Sequence, residues 1–235
     1  MKTKHEESYK PQPAPPICPV GKTDCAIISE VAELRQILTE LAKLVRTDTL
    51  TGIANYHYFV QALEQEIERT QRSGQPTSLI MLDIDFFKRV NDHWGHEIGN
   101  QALIHLARLL QKIVRKLDIP CRYGGEEFAI ILPDTNLAAC LPVAERIREG
   151  IEKSPLDVAG QPLRITVSLG ISTYRGEQEI TVKKLVQQAD QYLYQAKENG
   201  RNRVCHAELP SVDLVTTEEK QALSDLFGSG TIKKD

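Results

Sequence analysis

From Ile27 onward, apolar residues recur in alternating steps of four and three: Ile27, Val31, Leu34, Leu38, Leu41 and Val45. This heptad seam, widened by Ile37 and Leu44, predicts a helical stalk over residues 25–47. The same seam would serve an amphipathic helix packed on its own domain or a self-associating coiled coil. Its place between a polar segment and a new domain favours the coiled coil. Residues 1–24 are polar and rich in proline, and are expected to lack fixed structure.

Past Asp48 the rhythm changes. DTLTGIANYHYF leads into a helix to about Arg72, which Ser73-Gly74-Gln75-Pro76 ends. SLIMLDID reads as a buried strand. A helix over about 99–116 carries Leu103, Leu106, Leu110 and Val114 on one face. Residues 121–123 and 126–132 predict two strands about a tight turn at Gly124-Gly125. A helix over 137–153, a strand in LRITVSLGIST and a helix over 182–199 follow. Strands and helices mixed with a hairpin predict an α+β domain over 48–205. In the tail, 206–235, Thr216 and Glu219 fit a capping box for a short helix through Phe227.

Composition narrows the function classes. The chain has 235 residues, enough for one sizeable domain with additions, and 41% hydrophobic against 26% charged residues is ordinary for a globular protein. A net charge of −3 argues against an extended DNA or RNA surface, which needs a basic excess. A small phosphorylated ligand, which needs only a few local cations, stays open. No apolar run approaches a membrane span, and MKTKHEESYKPQPAPP has no signal core, so the cytoplasm is the expected compartment. Cys18, Cys25, Cys121, Cys140 and Cys205 are odd in number and widely spaced, which predicts free thiols rather than zinc or disulfides. Gly21-Lys22-Thr23 imitates the end of a phosphate-binding loop, but Pro16 stands where that motif needs glycine.

The chemistry concentrates at two places. The apolar strand LIML ends at Asp83, with Asp85 two positions on, and residues i and i+2 share a strand face. Such carboxylates are helix caps, buried hydrogen-bond acceptors or metal ligands, because a bare buried charge is costly. The second place is RYGGEEF. Glycines at a hairpin tip let the backbone approach a ligand closely, and Glu126 and Glu127 follow at once, on opposite faces of their strand. If the hairpin pairs beside the Asp83 strand, two carboxylates and a carbonyl would make a hard oxygen site suited to Mg²⁺ with phosphate oxygens as further ligands. Lys88, Lys197 and Arg201 are candidate cations for those phosphates.

Five blocks stand in order along the chain: DTLTGIANYHYF, DIDFFKRVNDHWGHEIGN, RYGGEEF, TVSLGIS and ADQYLYQAKENGRN. From about Asp48 to Asn202 they resemble, in order and spacing, the GGDEF domains of the diguanylate cyclase family, in a GGEEF form. The resemblance implies a central mostly antiparallel sheet flanked by helices, similar to nucleotidyl cyclases and the polymerase palm. It implies one GTP per domain and two domains face to face, each 3′-hydroxyl attacking the α-phosphate of the other GTP. The products would be cyclic di-GMP and two pyrophosphates. Asp83 and Glu126 would hold Mg²⁺ with the Ile84 carbonyl, with two ions per site expected and Mn²⁺ able to replace Mg²⁺. Glu127 would either complete the metal site or help deprotonate the hydroxyl. Phe86 and Phe87 would offer backbone amides to the terminal phosphates, with Gly124 and Gly125 bringing the hairpin tip close to the nucleotide. Lys88, Lys197 and Arg201 would neutralise phosphate charge, and Asn91 would bind guanine. A homodimer through the stalk follows, because one domain with one GTP cannot close the ring.

Two departures matter. The family usually has Asp where this chain has Asn100, and Asn presents an NH₂ donor to guanine's donors. That leaves the base choice open, with some ATP use and a cyclic GMP–AMP product as the alternative to pure GTP chemistry. Tyr56-His57 stands where the family often has two arginines. Arg115 and Asp118, read alone, make an exposed ion pair at a helix end, worth little. At this offset from RYGGEEF, RxxD resembles the family's inhibitory product site, with Arg146 as its secondary arginine. His93 and His96, in HWGH, lack a third ligand and read as structural. The rival readings are a silent effector that binds cyclic di-GMP and an interaction scaffold. With no recognisable sensor domain, a separate regulatory protein is expected to bind residues 1–47.

Overall fold

Strand β2, Thr77–Ile84, is buried at all eight positions, so its apolar run reflects packing on both faces. In the computed structural model, residue 28 and residues 30–37 and 46–208 are described. Along the chain lie β1 (Ala54–Asn55), α1 (Tyr56–Ser73), β2, α2 (Phe87–Ile113), β3 (Ile119–Gly124), β4 (Glu127–Leu132) and α3 (Leu137–Glu152). Then come β5 (Leu156–Val158), β6 (Gln161–Leu163), β7 (Val167–Tyr174), α4 (Val182–Glu198) and β8 (Val204–His206).

Six strands form one sheet in the order β1-β3-β4-β2-β7-β8, and β5-β6 forms a separate hairpin. The inner pairs of the sheet are antiparallel and both outer pairs, β1-β3 and β7-β8, are parallel. Alternation along β2 splits the core in two. Ile80, Leu82 and Ile84 face α2 and α3 together with Phe128 and Ile130. Leu79 and Met81 face α1 and α4 with Ala129 and Ile131. Side-chain caps fix where the helices begin: Asn55 accepts from the Tyr58 amide, Asn136 from Ala139 and Thr181 from Lys184.

The α+β sheet flanked by helices agrees with the expected fold, and several details correct the expectation. Helix α2 starts at Phe87 and not near 99, because its first turns run up to Gly95, whose φ of 81° and ψ of 161° break the helix before it resumes. The hairpin turn is Gly125-Glu126 and not Gly124-Gly125. Gly124 pairs with Glu127, and the ladder slips between Arg122 and Gly124. Glu126 therefore sits in the turn and not on a strand face. The short strands β1, β5, β6 and β8 had no expected counterpart. Residues 30–37 are helical, and Leu34 and Ile37 in the heptad seam are exposed, at 52% and 47%. Residues 1–24, the remaining seam positions Ile27, Leu38, Leu41, Leu44 and Val45, and the Thr216–Glu219 cap lie outside the described residues.

Candidate active site

The catalytic candidates meet at one end of β2. In the ladders Asp83 lies directly opposite Glu127 of β4 and Ser168 of β7. Opposite residues of an antiparallel pair share a face, so Asp83 and Glu127 project to the same side, with Glu126 in the adjoining turn. Asp83 is 7% exposed, and Lys197 Nζ, from the end of α4, lies 2.8 Å from its Oδ2. Burial pushes the Asp83 carboxyl above the usual aspartate range; Lys197 opposes this, while the charges of Glu126 and Asp85 add to it. A desolvated carboxylate near other carboxylates gains from a nearby cation. A hard divalent cation such as Mg²⁺ fits oxygen donors of this kind, and Asp83, Glu126 and the Ile84 carbonyl would hold it, with Glu127 alongside. Among the described residues no group of three or more His, Cys, Asp or Glu side chains is assembled as a metal site. Mg²⁺ bound by one or two carboxylates with phosphates and water needs no such cage.

Asp85 diverges from Asp83, because the strand stops at Ile84. Its carboxylate accepts from Thr166 Oγ1 at 2.7 Å, Ser168 Oγ at 2.6 Å and the Asn202 amide at 3.0 Å. Of the alternatives for a DxD pair, Asp85 is the buried hydrogen-bond acceptor.

Phe86, with φ of 56°, turns the chain into α2, and no side chain caps that helix. The first amides of α2, from Phe87 and Lys88, thus lack a side-chain partner at a helix end that favours anions. Two guanidinium groups lie over the exposed Phe86 ring, Arg201 at 4.4 Å and Arg89 at 4.5 Å from its centroid. Lys88 is exposed beside them. Arg89 had no place among the expected cations; it sits one turn from Phe86, and nothing in its local sequence marks it. The break at Gly95 lets the two halves of α2 meet. Asn91 Oδ1 lies over Gly99, where a Cβ would come within 1.9 Å of it. Asn100, the next residue after Gly99, is exposed. His93 and His96 are exposed, and no metal group forms around them among the described residues.

The hairpin turn is braced by Arg122 of its own first strand, which Asp48 holds in turn. Arg122 donates to the Gly125 carbonyl through Nη2 at 2.9 Å and Nε at 3.1 Å, and through Nη1 to Asp48 Oδ1 at 3.2 Å. The Thr51 amide and hydroxyl also donate to Asp48 Oδ1. Burial acts to raise the Asp48 carboxyl, but Thr51 and Arg122 together hold it below the usual range. Neither Asp48 nor Arg122 was among the expected site residues; the Asp48–Thr51 spacing was the one local signal.

Asp118, Arg115 and Arg146 gather at the far end of α2. Asp118 is buried, and its Oδ2 accepts from the Arg115 amide at 2.8 Å. The pair is therefore a closed turn and not an exposed side-chain ion pair, and the Arg115 side chain is left exposed. Arg146 Nη2 donates to the Ile113 carbonyl at 3.2 Å. Asp118 also lines an open cavity of about 330 Å³ with Arg46, Tyr58 and Gln111.

An antiparallel-centred sheet with an acidic strand end facing a cation-flanked helix start defines a nucleotidyl-cyclase-like domain. The family model described as diguanylate cyclase, GGDEF domain, matches residues 45–203, and the chain belongs to that family. The response regulator PleD of Caulobacter vibrioides is 45% identical over 173 residues, covering 73% of this chain and 38% of PleD. The chain spans half or less of the length of the first curated relatives it matches. The structure is similar to diguanylate cyclase SiaD in complex with its activator SiaC from Pseudomonas aeruginosa, with a TM-score of 0.67 and 38% identity over 77% of this chain and 70% of that one. It is also similar to the coiled coil and GGDEF domain of DgcB from Caulobacter crescentus in complex with c-di-GMP, with a TM-score of 0.66 and 31% identity over 76% and 94% of the two chains. No helix among the described residues is long and apolar enough to cross a membrane.

Proposed function

We propose that this chain is a diguanylate cyclase that condenses two GTP into cyclic di-GMP and two pyrophosphates. The observation that carries this reading is Asp83: a buried carboxylate opposite Glu127, beside the Glu126 turn, already bonded to Lys197. Lys197, Lys88 and Arg201 would bind the triphosphate, the α2 amides would meet its terminal oxygens, and Asn91 and Asn100 would meet the base. Bound Mg²⁺ would neutralise charge at the attacked phosphate and lower the cost of ionising the attacking hydroxyl. Glu127 would accept the hydroxyl proton or add a ligand. Because one site takes one GTP, a second copy must supply the other, through residues 25–47. A protein partner is proposed to act on residues 1–47, by analogy with SiaD and its activator SiaC.

Incubation of the full chain with Mg²⁺ and GTP, ATP or both, with products weighed by mass spectrometry, tests the activity and the base choice together. Cyclic di-GMP from GTP is expected. A mixed GMP–AMP product would show the relaxed base choice that Asn100 allows, and no cyclic dinucleotide from any mixture would leave the silent effector standing.

Arg115, Asp118 and Arg146 are proposed as a product-binding inhibitory site. The exposed Arg115 guanidinium can fork onto guanine O6 and N7, while Asp118, buried and bonded to the Arg115 amide, borders an open cavity. Arg115→Ala should remove the slowing of progress curves as product accumulates, while initial rates stay at the wild-type level. An R115A enzyme that slows as the wild type does would exclude the site.

A further inference from the structure

Arg201 stands in a stretch that needs external restraint. Arg201 and Asn202 both adopt positive φ, 63° and 45°. That conformation is uncommon for Arg, and although Asn adopts it more readily, here the surroundings hold both residues in it. Here the enforcement centres on Asn202. Its amide donates to Asp85 Oδ2 at 3.0 Å. Its Nδ2 donates to Glu152 Oε1 at 2.9 Å, and its Oδ1 accepts from Arg148 Nη1 at 3.2 Å. Arg148 Nη1 also donates to Glu152 Oε2 at 2.9 Å, closing the ring of bonds at the end of α3. The Arg201 amide is tied to the Ala196 carbonyl at 2.9 Å. With its backbone held on both sides, Arg201 lays its guanidinium over Phe86 at 4.4 Å.

We propose that Arg148, Glu152 and Asn202 are positioning residues that hold Arg201 for the terminal phosphates of the nucleotide. None of the three reaches the site's expected ligand; each acts through the 200–203 turn. The proposal rests on the reading of Arg201 as a phosphate-binding residue. Its chemical logic is preorganisation: a cation already placed loses little freedom when the phosphate arrives.

The test measures binding of 3′-deoxy-GTP with Mg²⁺ by calorimetry on the full chain. This nucleotide lacks the attacking hydroxyl, so affinity is read without turnover. R201A should weaken binding on the order of tenfold or more, as expected for a lost charge-assisted contact. E152A should weaken it by about three- to tenfold, and E152Q by less, because its amide oxygen still accepts from Asn202. N202G, which accepts positive φ but lacks both side-chain bonds, should match E152A. The double variant E152A/R201A should bind no more weakly than R201A alone, the signature of two residues acting through one contact. Wild-type affinity in E152A and N202G, or full additivity in the double variant, would overturn the positioning role while R201A still upholds the reading of Arg201. Wild-type affinity in R201A would remove that reading and the proposal with it. Glu152 is part-exposed, so E152A should lower the melting temperature by only a few degrees and leave a cooperative transition, separating positioning from loss of fold.

Discussion

Asp83→Asn should abolish synthesis of the cyclic dinucleotide while leaving the folded chain more stable at neutral pH. The two effects have one cause. Asp83 is buried, and burial raises its carboxyl above the usual range despite Lys197, with Glu126 and Asp85 acting in the same upward direction. A carboxyl raised on folding favours the folded state fully only below its unfolded value, near pH 4, where both forms are protonated. That contribution is lost as pH rises through the folded value, so at pH 7 ionised Asp83 opposes folding. The neutral amide removes this penalty, and Lys197, 30% exposed, can turn to water. Turnover, however, loses a proposed metal ligand, and the drop should exceed the roughly 10–100-fold typical of losing an outer-shell partner. Urea denaturation at pH 7 and pH 4, beside product analysis, checks both. The stability gain should shrink toward acid. Turnover near wild type, or a gain that grows toward acid, would contradict this account of Asp83.

How far the sequence could be read depended on whether the signal was local. The starts of α3 and α4 were legible because Asn136 and Thr181 cap them within the next turn. The end of β2 was legible because an apolar run stops at Asp83. The first half of α2 was not, since Phe87 and Val90 are its only buried positions before the Gly95 break, and much of the rest faces solvent. The turn was misplaced by one residue because two adjacent glycines suggest a tip of their own. The ladder to β2 decides otherwise: its register sets Glu127 opposite Asp83, and the slip near Tyr123 carries Glu126 into the turn. Arg122 reaching Asp48 and Asn202 reaching Glu152 join positions far apart in sequence. Neither pairing follows any periodicity, so only the folded chain reveals that the hairpin and Arg201 are held from a distance. Asp118 shows the converse: its spacing from Arg115 was legible, but its burial and its bond to the Arg115 backbone were not.

The largest loss of stability is expected at Gly170, in the middle of β7 and opposite Met81. A Cβ there would lie 2.1 Å from the Leu193 amide nitrogen, 2.2 Å from the Ala189 carbonyl oxygen and 2.8 Å from Leu193 Cα. All three are backbone atoms of α4, so no change of rotamer relieves the contact. Gly170→Ala must push the helix off the sheet, and an added methyl in a packed core costs about 1–3 kcal/mol or more. With a whole helix to displace, the upper end of that range or beyond is expected in urea denaturation. Gly124→Ala is the control: nothing lies within 4 Å of a Cβ there and its φ is not positive, so stability should change by only about 0.5 kcal/mol. The displacement also has a functional direction. Helix α4 carries Lys197, and the chain leaving it carries Arg201. Folded G170A should therefore bind Mg·GTP more weakly although Gly170 touches no part of the site. Equal stability of G170A and G124A would mean that α4 can yield at no cost, which its buried seam of Leu185, Ala189 and Leu193 argues against.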